Sequence, residues 1–303
     1  MNNPESSYTY KIGGLHLKVL LKSNILKLDK TAGSYQFLTD TPNAVDIDFT
    51  ISFNLVQKAK TSTGKPAFTG ESFDDNQVPY EWSVYEYKDY FSVTIKINNR
   101  EASGVAMADF YLKQKTITVY LEQEITEEIL KIEPFFQPFG AILLNYTTHF
   151  RGGILLHSSG VKDDNNGYVF SAVSGTGKST MAGLWQQKGA RIINDDRLVL
   201  IPHDNKIIMT NTPMPYYQDV YKESKVSAIF LLKQSPRNYI KPLPGVAGIT
   251  GLMSNCIQFL YNKEMVQKHL TNITNITKRC PVYEVGFKPT TEITDIIRDE
   301  FGR

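Results

Sequence analysis

Residues 169–185 read VFSAVSGTGKSTMAGLW, and no other stretch narrows the fold as much. An apolar run leads into a cluster of small residues. A segment with Met181, Leu184 and Trp185 on one helical face follows, and Gly189 is placed to stop it. The order predicts strand, glycine loop, helix. Within it, Ala172, Gly177, Lys178 and Ser179 have P-loop spacing, with alanine where the first glycine usually stands. Small residues let backbone N–H groups curl around phosphate oxygens, and the helix start adds its dipole. Lys178 would place an ammonium on the β and γ phosphates, and Ser179 a hydroxyl on Mg²⁺. The candidate nucleotide-binding set is Ala172, Ser174, Gly175, Thr176, Gly177, Lys178, Ser179 and Thr180. A bare Gly-Ser-Thr turn before an ordinary helix is the plainer alternative, and the flanking strand and helix weigh against it.

Phosphoryl transfer also needs a metal anchor and a group to handle the acceptor's proton. Asp195 and Asp196, in RIINDDRLVL, end the short apolar strand expected after the loop's helix. A right-handed crossover would set them beside the cradle. One of the two can take a hydroxyl proton while the other binds Mg²⁺, directly or through water. The candidate metal set is thus Ser179, Asp195 and Asp196. The acidic pairs Asp74–Asp75 and Asp163–Asp164 read as polar turns. His157 lies on the strand candidate before the loop, where a lone histidine is more often a core or edge residue than a functional one.

The predicted fold class is α+β or α/β, in two domains and a connector. Residues 1–125 form a sheet-rich, mainly antiparallel domain. In it Val45, Ile47, Phe49, Ile51 and Phe53 alternate with polar residues, as do Val93, Ile95 and Ile97. ADFYLKQKTITVYLEQ reads as a hairpin around Gln114 and Lys115, and residues 60–79 as an exposed loop. Residues 126–151 form a helical connector, with a helix start at Thr126 and a second helix over PFGAILLNYTTHF. Residues 152–303 form the domain with the glycine loop, a mixed sheet and flanking helices. Its strands are expected at GILLHSSGV, YVFSAV, ARIIN, LVLIP, SAIFLLK and PVYEVGF, with residues 245–270 mostly helical.

Charge and cysteine usage exclude some functions. With 33 basic and 31 acidic residues the net charge is +2, which argues against nucleic acid as a partner. No apolar run approaches the ~18 residues of a membrane span, and the polar start MNNPESSYTY lacks a signal-peptide pattern. Cys256 and Cys280 have no metal-ligand spacing, so a reducing, cytoplasmic setting without disulfides is expected. The sequons at Asn145, Asn272 and Asn275 are then without meaning.

LLHSSGV, then SAVSGTGKST, then INDD together resemble the HPr kinase/phosphorylase superfamily, in particular its broad HPr-kinase-like branch. That superfamily shares a P-loop fold with the ATP-dependent phosphoenolpyruvate carboxykinases. The resemblance covers residues 152–200 well and the rest of the C-terminal domain loosely. It implies a histidine on the strand before the loop, and the 21 residues from His157 to Lys178 agree. It assigns His157 a place near the transferred phosphate or the catalytic aspartate, Asp195 the general base, and Asp196 its acidic neighbour. The Glu-x-Arg-Gly signature of the bifunctional enzymes is absent; in its place stands MTNTPMPYYQDVYKES. Phosphorolysis and HPr docking are therefore not expected to carry over.

The expected function is an ATP- and Mg²⁺-dependent kinase. Its catalytic residues would be Asp195, His157 and Lys178. Its acceptor would be a Ser/Thr hydroxyl of a protein or peptide, or a small hydroxylated molecule. The alternative is a non-catalytic nucleotide-binding sensor or accessory module of a peptide-modification system. Carboxykinase-like decarboxylation would need an arginine-rich carboxylate site, which the sequence lacks. Arg237 is a candidate for a phosphate contact, and Arg197 can instead form a structural ion pair. Oligomeric state is left open.

Overall fold

Alternating side chains in the first third of the chain build strands, because successive residues of an extended chain face opposite sides. A computed structural model describes residues 6–39, 47–58, 64–72, 80–98, 103–123, 128–213 and 222–302. It divides into two compact units, Met1–Lys11 with Leu15–Leu143, and Ile12–Gly14 with Leu144–Arg303.

In the first unit the strands are β1 (Ser6–Ile12), β2 (Leu15–Leu21), β3 (Leu26–Leu28), β4 (Phe49–Val56), β5 (Phe68–Ser72), β6 (Tyr80–Glu86), β7 (Phe91–Asn98), β8 (Ser103–Tyr111), β9 (Thr116–Glu122) and β10 (Leu130–Ile132). The main sheet runs β1-β2-β4-β9-β8-β7-β6-β5. Phe49, Ile51 and Phe53 of β4 are buried together with Val93 and Ile95 of β7. The β8–β9 hairpin turns over Leu112–Gln114, and Lys115 takes the left-handed conformation at φ 55°.

The sheet pairs antiparallel from β5 to β9, and β2–β4 and β4–β9 run parallel within it. Parallel neighbours need crossovers of about a dozen residues or more, and the chain provides them between β2 and β4 and between β4 and β9. Two expectations are corrected here. The expected loop at 60–79 contains β5; its residues 60–63 and 73–79 lie outside the described residues, as does Val45. Thr126 and Glu127 also lie outside them, and where a helix was expected to continue the chain forms β10, parallel to β3. Pro134 and Pro138 each remove an amide donor from any helix laid across this segment. The connector's helix is α1 (Phe139–Phe150), and the division between the units falls inside it.

The second unit has β11 (Ile154–Asp163), β12 (Asn166–Ser171), α2 (Lys178–Gln187), β13 (Arg191–Asn194), β14 (Arg197–His203), β15 (Lys206–Asn211), β16 (Glu223–Lys225), β17 (Ala228–Gln234), β18 (Tyr239–Pro242), α3 (Val246–Met253), α4 (Lys263–Arg279), β19 (Val282–Phe287) and α5 (Glu292–Phe301). Its sheet runs β16-β15-β14-β11-β12-β17-β19-β18, with β13 also on β11. Both faces are covered. Tyr168, Phe170, Phe230 and Val285 pack with Met181 and Trp185 of α2 and with Ile293 and Ile297 of α5. Val169, Ile229, Leu198 and Met209 pack on the opposite side with Leu252 of α3 and with Ile273 and Ile276 of α4. Burial on both faces is why YVF and AIFLL read as unbroken apolar runs rather than as alternation. Residues 245–270 are helical only in part, because 254–262 separate α3 from α4. That segment runs beside β11, with Leu156 opposite Cys256.

Candidate functional site

The site is built where β11 changes neighbours. Ile154–His157 pair antiparallel with β14, and Gly160–Lys162 pair with β13, across a register shift at Gly160/Val161. β13 and β14 are thus two pieces of one antiparallel neighbour, and Asp195–Asp196 is the bend between them. Asn194 shapes that bend. Its buried Oδ1 accepts from the backbone N–H of Asp196 at 2.7 Å and of Arg197 at 3.0 Å. The bend is tied back to β11 where Ser158 donates its N–H to the Asp196 carbonyl at 3.0 Å.

His157 sits at the end of the first half of β11. Its backbone N–H donates to the Asn255 carbonyl at 3.0 Å, and its carbonyl accepts from Ser171 Oγ at 2.9 Å. With its backbone fixed on both sides, its ring projects so that Nε2 lies 3.6 Å from Asp196 Oδ1. Asp196 Oδ2 is also 3.2 Å from Arg197 Nε, so Arg197 makes the structural ion pair open to it. Asp195 is half-buried on the same bend.

The loop between β12 and α2 holds the rest. Ala172 is buried, Ser174 and Gly175 are exposed, and Thr176 and Gly177 are half-buried. Gly175 has φ 78° and Gly177 φ 111°, conformations glycine adopts without penalty. Gly177 has a second constraint, because a Cβ there would sit 3.0 Å from Phe287 Cζ. Gly177 is the N-cap of α2 and offers no side-chain acceptor, so the first amides of the helix are left for other partners. Ser179 and Thr180 follow as exposed hydroxyls on its first turn. Lys178 is buried and curls back to donate Nζ to the carbonyls of Ala172 at 3.0 Å and Val173 at 3.4 Å. Ser159 Oγ donates to the Lys178 carbonyl at 3.1 Å, tying the helix start to β11.

These charges act on one another. Burial lowers the Lys178 pKa below the usual lysine value, and the Asp196 carboxylate opposes the shift. His157 is lowered first by burial and then by the Lys178 ammonium, while Asp196 pulls it up and Arg197 pushes it down. The structure therefore brings His157, Lys178 and Asp196 within one electrostatic field.

A cleft of about 470 Å³ opens beside the loop. Thr176, Gly177 and Thr180 form one wall; Gln234, Ser235, Pro236, Phe287 and Pro289 form the others. Arg237 is exposed on the same β17–β18 turn, its N–H donating to Ser235 Oγ at 3.1 Å. The motifs gave no signal for Gln234, Pro236 or Phe287, which reach the cleft from β17, the β17–β18 turn and β19. Asn194 had a signal, since an Asn before two acidic residues is a typical side-chain-to-backbone turn former.

Other residues noted in the sequence are placed as follows. Cys256 and Cys280 are free, and burial pushes both thiols up to about 12. Asn145 and Asn272 are buried, and Asn272 Nδ2 donates to the carbonyls of His149 and Gly153. Residues 214–221, half of the stretch that replaces the second signature, lie outside the described residues. Among the described residues, no helix is long and apolar enough to cross a membrane, and no group of three or more His, Cys, Asp or Glu could hold a metal ion.

No family model matches the chain, and no curated protein does. Among solved structures, the HPr(Ser) kinase/phosphatase from Coxiella burnetii is similar over 49% of this chain and 99% of its own, with 11% identity and a TM-score of 0.31.

Proposed function

We propose that the chain is an ATP- and Mg²⁺-dependent phosphotransferase of the HPr-kinase-like type, with residues 172–180 as its P-loop. The γ-phosphate would go to a serine or threonine hydroxyl of a protein or peptide, or to a small hydroxylated molecule. One observation carries the reading: His157 and Asp196 meet at 3.6 Å beside the strand–loop–helix that holds Lys178. A glycine loop alone would need neither partner. With them, the site has a cation for phosphate, a carboxylate for a proton or metal, and a histidine that both charges tune.

The roles follow from placement. Lys178 now satisfies its ammonium on the loop's own carbonyls, bonds that phosphate oxygens can replace with stronger charge-assisted ones. The uncapped amides of α2 face the same ligand. Mg²⁺ takes few protein carboxylates and completes its shell with phosphates and water, so Ser179, Asp195 and Asp196, rather than a closed cage, fit it chemically. Bound, it would neutralise charge on the phosphates. Asp196 lies nearest His157 and in the field of Lys178; Asp195 holds the position that the family resemblance assigns to the general base. Catalysis would rest mainly on positioning and charge neutralisation.

The test is phosphate release and transfer from γ-labelled Mg·ATP, alone and with peptide and small hydroxyl acceptors. Lys178→Ala should abolish nucleotide binding. Asp195→Asn should keep binding and lower transfer by about 10²–10⁴-fold, the usual weight of a general base. If Asp196→Asn alone gives that loss, the base is Asp196. Tight binding without product for any acceptor would favour the nucleotide-sensing module.

A further inference from the structure

We propose that the cleft formed by Thr176, Gly177, Thr180, Pro236, Phe287 and Pro289 takes the nucleoside of the bound triphosphate, so that base contacts there, and not the phosphate loop alone, set which ligand binds. The proposal rests on the reading of residues 172–180 as a phosphate loop, and it adds the part of the ligand that this loop does not explain.

Three observations carry it. The first is continuity. Thr176, Gly177 and Thr180 line the cleft and also belong to the loop and first turn of α2. A ligand whose phosphates lie on those amides has its next atoms at the mouth of the cleft. The second is chemistry and size. The volume of about 470 Å³ falls within the range of small-molecule sites. Phe287, Pro236 and Pro289 give apolar walls for a flat ring, while Thr180, Ser235 and Gln234 give polar groups at its edges. Gln234 donates Nε2 to the Gly175 carbonyl at 3.3 Å, which leaves its Oε1 as an acceptor. That polarity suits the exocyclic amino group of adenine and opposes the carbonyl that guanine has in its place.

The third is that the cleft is held open. Asn238 Oδ1 accepts from the Lys288 N–H at 2.8 Å, and its Nδ2 donates to Glu292 at 2.9 Å. These bonds join the β17–β18 turn to the segment that carries Pro289. The Phe287 ring lies against Gly177, where any larger residue would push it away. A preformed slot of this kind does not have to be ordered by the ligand before it binds.

Calorimetry with Mg·ATP, Mg·GTP and inorganic tripolyphosphate separates the two readings. The wild-type chain should bind Mg·ATP about tenfold or more tightly than tripolyphosphate, a gap worth about 1.4 kcal/mol or more. Phe287→Ala should close most of that gap and leave tripolyphosphate affinity unchanged. Because Phe287 also packs in the core, Pro236→Ser combined with Pro289→Ser provides a variant confined to exposed walls. Gln234→Ala should shrink the preference for ATP over GTP. Equal wild-type affinities for ATP and tripolyphosphate, or an unchanged ratio in folded wall variants, overturn the cleft proposal and leave the phosphate loop standing. If neither ligand binds, or if Lys178→Ala binds both as the wild type does, the phosphate-loop reading fails and the cleft proposal with it.

Discussion

His157 Nε2 stands 3.6 Å from Asp196 Oδ1, and Lys178 and Asp196 push the imidazole in opposite directions. Removing one charge at a time should therefore move the His157 pKa with opposite signs. Lys178→Ala takes away a cation that disfavours protonation, so the pKa should rise toward the ordinary histidine value. Asp196→Asn takes away the anion that favours protonation, so it should fall further. The ring's carbon-bound proton signals, followed through a pH titration by NMR, report this without any substrate. Shifts of the same sign in both variants would mean that the two charges do not act on this ring.

Gly175 and Gly177 both have positive φ, yet only Gly177 lacks space for a side chain. Among the described residues Gly175→Ala meets nothing within 4 Å, and it bears the backbone penalty, about 1–2 kcal/mol. Gly177→Ala adds contact with Phe287 Cζ at 3.0 Å, so its loss should exceed that of Gly175→Ala by about 1 kcal/mol or more. Denaturant unfolding of the two variants measures the difference. Equal losses would show that the Phe287 ring gives way freely.

Much of the second unit can be read from the sequence because its local signals and its packing agree. The apolar run to Ser171, the small residues after it and the Met181–Trp185 face fix strand, loop and helix in a short span. The bend at Asp195 and Asp196 is equally visible. What local sequence does not encode is which partner β11 has at each end. That depends on a register shift at Gly160 and on a segment around Cys256, far along the chain, that lines one side of His157. The mixed sheet of the first unit is hidden for a similar reason. Alternation in β4 tells which residues face the core but not whether β2 and β9 run parallel to it. The cleft beside the loop depends on Phe287 and Pro236, whose types alone would suit any core or turn.

Arg298 joins the C-terminal helix to the β11–β12 turn. Its Nε and Nη2 donate to the two oxygens of Asp163 at 2.8 and 2.7 Å, its Nη2 also reaches the Lys188 carbonyl, and its guanidinium lies 5.3 Å from the centre of the Trp185 ring. A bidentate, partly buried pair is worth more than a surface contact. Asp163 is thus an anchor as well as a polar turn residue. Arg298→Ala should lower stability by about 1–3 kcal/mol in urea unfolding. A double-mutant cycle with Asp163→Asn should show most of that loss to be shared. Full additivity would mean that the loss comes from Arg298 packing on Trp185 rather than from the ion pair.

Between α1 and α4, His149 and His269 stack with ring centroids 5.7 Å apart, both buried. Both nitrogens of His149 and Nε2 of His269 have no hydrogen-bond partner among the described residues. Burial lowers both pKa values to about 4, helped for His149 by His269 and by the nearby Lys268. An unfolded chain protonates these rings near pH 6.5, whereas the folded one keeps them neutral down to about pH 4. Their contribution to stability is therefore complete above about pH 6.5 and declines as pH falls toward 4. At pH 5 the linkage is worth about 2 kcal/mol for each ring, relative to neutral pH. His157, also lowered by burial, adds in the same direction. Urea unfolding from pH 7 to pH 5, a window above the titration of ordinary carboxylates, should show stability falling steadily. In His149→Phe combined with His269→Phe most of that slope should disappear, leaving the part due to His157. A slope identical to that of the wild type would place the acid sensitivity of this fold elsewhere.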